Sequence, residues 1–177
     1  MSRFALVAAV LGLVLIHAAD GAAQTSVRGA VGIVHQVGIF GDDNPRSTSN
    51  KSLTFGVETR RAPEERAGFA FDMTVPTRVL INPHIDERLF SVYLLAGGEF
   101  GRRTFARILG GAALGLFTGS QAESPLELMP AAGFSLGHHI DVGMHTRVTP
   151  EVVARGAIRW GVASWMMGLQ VAVSPKP

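Results

Sequence analysis

Apolar residues recur at every second position along most of this chain, which is the pattern of a β-strand with two unlike faces. Near the N-terminus, Val27, Val31 and Ile33 fall on one side of such a strand, and Arg28 and Gly32 fall on the other. We find eight stretches of this kind and predict a strand from each. In chain order they read SVRGAVGIVHQVG, SLTFGVETR, GFAFDMTV, LFSVYLLAGGEFG, TFARILGGAALGLF, GFSLGHHIDVGMHTRV, VVARGAIRW and SWMMGLQVAVS.

The two faces of the predicted strands differ in charge and in side-chain size. The apolar face is bulky and carries no Asp, Glu, Lys or Arg, while the polar face is rich in glycine and alanine, which suits a narrow interior. Aromatic residues fall near strand ends, at Phe100, Trp160 and Trp165. This is typical of barrels whose apolar face meets lipid and whose polar face fills the lumen. We therefore predict an all-β fold, an eight-stranded antiparallel up-and-down transmembrane β-barrel.

The lumen of such a barrel is just wide enough for side chains to fill it. Charged side chains there must pair with one another, because an unpaired buried charge is costly. We predict a non-porous lumen that holds a structural network of polar residues. Its predicted members are Arg28, Glu58, Arg60, Asp72, Glu99, Arg107, His139, Asp141, Arg155 and Arg159.

The segments between strands alternate between long and short until the last one. The long segments are residues 39–51, 76–87 and 118–128, and the short ones include RAPEER, GRR and TRVTPE. Membrane barrels of this kind have short periplasmic turns and longer extracellular loops. We expect the three long segments to face outward and both ends of the barrel domain to lie in the periplasm.

The N-terminal segment has the three parts of a secretory signal peptide. A single arginine, Arg3, precedes an apolar run from Phe4 to Ile16, and small residues follow, including Gly21 and Ala23. The run is shorter than the ~20 apolar residues that a spanning helix needs. We predict a cleaved signal over residues 1–23 and a barrel domain over residues 24–177.

Composition excludes several classes of site. The 177 residues include no cysteine, so disulfides and thiolate metal sites are excluded. The net charge is +2, and the arginines are dispersed along the chain, which disfavours nucleic-acid binding. No motif for a cofactor is found, and we expect none.

The stretch GFSLGHHIDVGMHTRVTPEVVARGAIRW resembles the small eight-stranded outer-membrane β-barrels of the OmpA and OmpX type. In that superfamily, a glycine-rich strand often runs into an R-V/L-T/S-P turn, followed by a strand with inward arginines. The matching residues are Arg147 to Pro150, then Arg155 and Arg159. The resemblance extends over the mature chain and implies the same barrel and an outer-membrane location. It departs at the end, where such barrels usually have an aromatic residue and this sequence has VAVSPKP.

The three histidines of GFSLGHHIDVGMHTRV suggest a metal or catalytic site, which the alternation disfavours. His145 lies ~20 Å along a strand from His139, too far for both to bind one cation. Ser135 lies ~13 Å from His139, too far for a serine–histidine pair. We therefore predict no metal and no catalytic residues, with His139 and Asp141 joining the lumen network. His138 and His35 are expected on the lipid face, near the outer end of the membrane band.

The predicted role is structural or surface-interacting, as a monomer that contacts outer-membrane lipid and lipopolysaccharide and binds any extracellular ligand through its long loops. A second hypothesis is an outer-leaflet enzyme similar to lipid A deacylases, which requires a serine and a histidine converging from two strands near the outer rim. A third is a soluble periplasmic barrel for an apolar ligand, which requires Phe69, Phe71, Val92 and Leu94 to point inward.

Overall fold

The computed structural model describes residues 24–40, 46–60, 66–76, 90–116, 126–159 and 162–175. The predicted signal peptide, residues 1–23, lies outside the described residues, and so do the central parts of the long loops. Within the described ranges, no helix is long and apolar enough to cross a membrane.

Every regular element among the described residues is a β-strand. The strands are β1 (Gln24–Phe40), β2 (Arg46–Arg60), β3 (Ala67–Pro76), β4 (Phe90–Gly101), β5 (Thr104–Leu116), β6 (Leu126–His138), β7 (Ile140–Val142), β8 (Thr146–Arg159) and β9 (Val162–Pro175). The short β7 continues β6 along the same edge of β8, and the pairing register is unchanged across the break at His139. The two segments therefore form one strand of an eight-stranded barrel.

The barrel is closed, so each of its eight strands has a neighbour on both sides. Consecutive strands pair antiparallel from β1 to β6, β8 pairs with both β6 and β9, and β9 returns to β1. The seam between β1 and β9 runs from Gly29 opposite Val173 to Phe40 opposite Val162. The predicted all-β, eight-stranded, antiparallel up-and-down barrel is confirmed.

The apolar face of the strands points outward, as the alternation predicted. On β1, Ile33 is 68% exposed while the adjacent Val34 is 1% exposed. Bulky apolar residues on the predicted apolar faces of other strands are also exposed, among them Ile108, Ile158 and Leu169. Since neighbouring side chains of a strand point to opposite faces, the polar residues between them fill the lumen.

The soluble-barrel alternative fails at β3 and β4. Phe69, Phe71, Val92 and Leu94 are only half-buried, while the residues between them are buried: Ala70, Asp72, Tyr93 and Leu95. The barrel thus turns these large apolar side chains outward and provides no apolar ligand pocket there.

The prediction of a turn at TRVTPE is wrong. The chain reverses at Gly143–His145, where Gly143 has a φ of 71°, and residues 146–151 belong to β8. Glycine adopts this left-handed conformation without a steric penalty, so it sets the turn. Pro150 instead lies within β8, at the level where β6 and β7 separate. A proline has no N–H to donate, which accounts for an interrupted ladder at that level.

Two predicted loops are shorter than expected. β1 extends to Phe40 and β2 begins at Arg46, inside the predicted 39–51 loop, and β6 begins at Leu126, inside the predicted 118–128 loop. The stretch RSTSNK is polar at every position, so it carries no apolar alternation from which a strand could be predicted.

The two ends of the barrel differ. The termini end holds the start of β1, the end of β9 and three short turns, after β2, β4 and β7. The loop end holds the four remaining connections, which include residues 77–89 and 117–125.

Candidate functional site

A layer of charged side chains crosses the lumen nearer the termini end. Four arginines and four carboxylates, contributed by β1, β2, β3, β4, β5 and β8, balance one another. They are Arg28, Glu58, Arg60, Asp72, Glu99, Arg107, Glu151 and Arg155. Each of these residues faces the lumen on its own strand. The pairing register of the strands brings them to the same height along the barrel.

Arg107 is the centre of this layer and is completely buried. Its Nε donates to Glu99 at 2.7 Å and its Nη1 donates to Glu151 at 3.1 Å. Its Nη2 also donates to Glu58. One planar guanidinium therefore connects three strands other than its own, a use for which arginine's fixed array of donors is suited.

Arg28 forms a second centre beside it. Its guanidinium lies 2.5 Å from Asp72 and 3.3 Å from Glu58, and it also donates to Glu151. Glu58 and Glu151 thus contact both central arginines. Two outer arginines complete the layer, since Arg155 donates to Asp72 at 3.2 Å and Arg60 donates to Glu99.

Neutral side chains fill the lumen on the loop-end side of the charges. An apolar cluster comes first, and hydroxyl and amide groups lie beyond it toward the loop end. There the Tyr93 hydroxyl lies 3.2 Å from Ser164 Oγ, and Gln36 donates to the same oxygen at 3.1 Å. The buried cluster comprises Val34, Ala70, Tyr93, Leu95, Leu109, Ala113, Met129, Val153, Ala157 and Met166. Small residues make room for it: a Cβ at Gly133 would lie 2.6 Å from Leu95 Cδ1.

Seven of the ten predicted network residues meet in the charged layer, and three do not. His139 is buried but contacts Thr149 and Phe105 rather than a charge. Asp141 lies at the termini end, where Arg147 donates to it at 3.1 Å. Arg159 belongs to β8, and its side chain lies outside the described residues.

Sequence reasoning missed Glu151, which is buried in the lumen, and left Gln170 out of the predicted network although it lies on the polar face of the last strand. Gln170 donates to Glu151 at 2.7 Å. Glu151 was assigned to a turn because TRVTPE contains a proline. Its position has the same parity as Arg155, so extending the alternation of β8 backwards would have found it.

Glu58, Glu99 and His139 each place one potential ligand atom within 4.8 Å of the others. Both carboxylates, however, already bind Arg107. A metal ion would therefore have to displace a buried guanidinium. His145, which the sequence placed on the same face of a strand as His139, lies in the exposed turn after β7.

Two histidines on the outer face each lie within hydrogen-bond distance of a hydroxyl group on the neighbouring strand. Near the loop end, His35 Nδ1 lies 3.1 Å from Ser49 Oγ. At the termini end, His138 Nδ1 lies 2.8 Å from Thr104 Oγ1. The prediction that His138 lies at the outer end is therefore wrong, because β6 runs toward the termini end.

The closed barrel of eight antiparallel strands, with charges inside and apolar side chains outside, defines the fold of the small outer-membrane β-barrels. Comparison with solved structures gives the same result. Ail, the attachment invasion locus protein of Yersinia pestis, superimposes with a TM-score of 0.58 at 10% sequence identity, over 85% of this chain and 99% of Ail.

Two further solved structures share this fold. Ail in complex with the heparin analogue sucrose octasulfate gives a TM-score of 0.57, again at 10% identity over 85% of this chain and 99% of Ail. Neisserial surface protein A gives 0.51 at 17% identity, over 85% of this chain and 97% of that protein. No family model and no curated protein matches this sequence. At these identities the likeness establishes the fold.

We predict that Arg107→Ala lowers the free energy of unfolding by about 3–5 kcal/mol, because three buried carboxylates lose a shared partner. The matched variant Arg147→Ala removes a half-exposed pair and should cost about 0–1 kcal/mol. Urea unfolding followed by tryptophan fluorescence measures both. Equal losses from the two variants would show that the charged layer contributes no more than a surface ion pair.

Proposed function

We propose that this protein is a non-catalytic outer-membrane barrel whose role is structural or surface-interacting, and that the barrel holds the loops of residues 39–51, 76–87 and 118–128 at the cell surface. The observation that carries the proposal is the distribution of side chains, which is the reverse of that in a soluble protein. Charged residues are buried in the lumen and bulky apolar residues are exposed all round the barrel. In water, such a surface would drive aggregation. In lipid, it is the surface that a closed barrel requires.

We further propose that the lumen is non-porous. The charged layer and the apolar cluster lie one above the other, so a permeating ion would have to pass both an ion-paired layer and a dry layer. Side chains fill barrels of eight strands, whereas water-filled channels occur in much wider ones. The barrel then serves as an anchor and a scaffold.

The orientation follows from secretion and from the connections. An N-terminus delivered by a signal peptide reaches the periplasm first, and the short turns share its end of the barrel. The loop end would then face outward, toward lipopolysaccharide. Loops on a rigid scaffold are the usual location of binding surfaces.

The charge of these loops narrows the class of surface partner. Ail has been solved with a heparin analogue, which is a polyanion. In this chain the connections at the loop end carry five carboxylates and two arginines, namely Asp42, Asp43, Asp86, Glu87 and Glu123 against Arg78 and Arg88. This balance favours a cationic or neutral partner, or lipopolysaccharide phosphates bridged by divalent cations, over a sulfated glycan.

Single cysteines test both location and orientation, because the natural chain has none. Ser120→Cys, in a long loop, should react with a membrane-impermeant maleimide on intact cells. Arg103→Cys, in the short turn after β4, should react only after the outer membrane is permeabilised. Recovery of the protein in the soluble periplasm, or the reverse labelling pattern, would contradict the proposed placement.

A lipid-modifying enzyme is a second candidate, and the pair of His35 and Ser49 favours it. The two side chains converge from two strands, on the outer face near the loop end, as such an enzyme requires. A serine nucleophile needs a base within hydrogen-bond reach, which His35 provides. The equivalent pairing of His138 with Thr104 at the opposite end shows that this geometry also arises simply from cross-strand neighbours.

Ser49→Ala separates the two candidates. The non-catalytic proposal predicts that neither the natural protein nor the variant releases fatty acid from lipid A or phospholipid in mixed micelles, measured by mass spectrometry. Thr104→Ala is the control, since it removes the equivalent hydroxyl at the other end. Acyl release that is lost in Ser49→Ala and retained in Thr104→Ala would establish the enzyme instead.

A further inference from the structure

A cavity of about 490 Å³ opens at the termini end of the barrel. Its size lies within the range of sites that bind small molecules. Part of its wall comes from the hairpin of β7 and β8, through Ile140, Asp141 and Arg147. The rest of the wall includes residues of β1, of β2 and of the turn after β4. A movement of the hairpin relative to the barrel would therefore change the opening of the cavity.

One edge of this hairpin has no neighbouring strand in the described part of the chain. β7 pairs with β8 and with no other strand there. β5 flanks β6, but it begins at Thr104, opposite His138, and so ends its ladder before β7 is reached. All three residues of β7 are exposed. The hairpin is therefore not held on the β5 side by a ladder of hydrogen bonds.

The opposite edge is formed by the end of β9, which pairs with the start of β8. The pairing of β9 with β1 begins at Val173, opposite Gly29, so that ladder does not include Ser174 and Pro175. The Ser26 hydroxyl lies 3.5 Å from the carbonyl of Pro175, which is a long contact for a hydrogen bond. Thus β7, the start of β8 and the end of β9 form a three-stranded tab, and neither of its edges carries a ladder among the described residues. The tab comprises residues 140–148 and 174–175.

The line along which the tab joins the barrel is weakened at Pro150. The pairing register places Pro150 opposite His138. The N–H of the next residue, His139, donates to the carbonyl of Arg103 on the β5 side, so by alternation the polar groups of His138 point toward β8. Because proline has no N–H, the carbonyl of His138 receives no ladder bond from Pro150. The ladder between β6 and β8 is interrupted at this level, where the tab begins.

The contacts within the tab would persist if it moved as a unit. β8 pairs with β7 on one side and with the end of β9 on the other. Across the hairpin, Arg147 donates to Asp141 at 3.1 Å. Local units of a protein that have few contacts with their surroundings open at a lower free energy than the whole fold. The tab combines internal pairing with two unpaired edges and an interrupted base, which are the features of such a unit.

We propose that the tab is a flap that opens and closes the cavity at the termini end, with its hinge at the level of His139 and Pro150. In the closed arrangement, Asp141 and Arg147 lie in the cavity wall. Outward bending of the tab would widen the opening. The charged layer would stay intact, since none of its eight residues belongs to the tab. The flap is a property of the barrel itself and does not depend on the proposed surface role.

Hydrogen exchange of the whole barrel domain in detergent micelles, resolved by NMR, tests the flap. The amides of Val142, Thr146 and Val148 should exchange about a hundredfold faster than those of Leu136 and Val152, which pair with each other on the loop-end side of the hinge. The three tab amides should share one opening constant, because they open together. Rates that decrease steadily from the turn to the hinge would indicate fraying and overturn the proposal. Rates equal to those beyond the hinge would also overturn it.

Pro150→Val tests the hinge, because it supplies an N–H opposite the carbonyl of His138. It should slow the exchange of the tab amides by about threefold to tenfold, the range expected for one net hydrogen bond. The matched control is Pro130→Val, which replaces another exposed proline, on β6 and outside the tab, and should leave the tab unchanged. Equal slowing in the two variants would indicate a general effect of removing a proline and would overturn the hinge, as would no slowing in Pro150→Val.

Distances between pairs of spin labels measure the movement itself in nanodiscs. Labels at His145→Cys, in the tab, and Arg103→Cys, in the turn after β4, should give two distances, and Pro150→Val should shift the population toward the shorter one. The control pair, Arg103→Cys with Thr25→Cys, lies outside the tab and should give one distance in both backgrounds. A single distance for the first pair, unchanged by Pro150→Val, would show a fixed tab and overturn the proposal.

Discussion

The contact of one buried guanidinium, that of Arg107, with Glu58, Glu99 and Glu151 is the interaction on which the rest of this structure depends. A barrel with its apolar face outward must bury its charges. Buried charges are tolerated only when each has a partner and the hydrogen bonds are complete. Arg107 is the ion-pair partner of carboxylates from three strands at once, and Arg28 is likewise the partner of Asp72. The layer thus links strands that are not neighbours in the sheet and divides the lumen into two regions.

The two regions differ in what they can do. On the loop-end side, the lumen is filled by apolar and hydroxyl side chains that contact one another, so it offers stability and little chemistry. On the termini-end side, a cavity remains, and arginines dominate its wall. Phe105 contacts both His139, by ring stacking, and the guanidinium of Arg107.

Alternation along the strands was enough to predict the number of strands, their two faces and most of the charged layer, because the lipid-facing positions tolerate no charge and so keep the period visible. It failed where local and tertiary signals conflict. Pro150 suggested a turn, although the reversal is made by Gly143, and this error hid Glu151. The pair of His35 and Ser49 and the cluster around His139 depend on strand register, which a period of two does not specify.

The central claim, that the apolar face of the barrel meets lipid, is tested most directly with spin labels. Single cysteines at Ile33, Ile108, Ile158 and Met167 sample the outer face on four strands. After labelling with a nitroxide and reconstitution into bilayers, all four labels should have high accessibility to dissolved oxygen and low accessibility to a water-soluble nickel complex. Labels that are immobile and shielded from both reagents would place these residues in a protein core and contradict a lipid-facing outer surface.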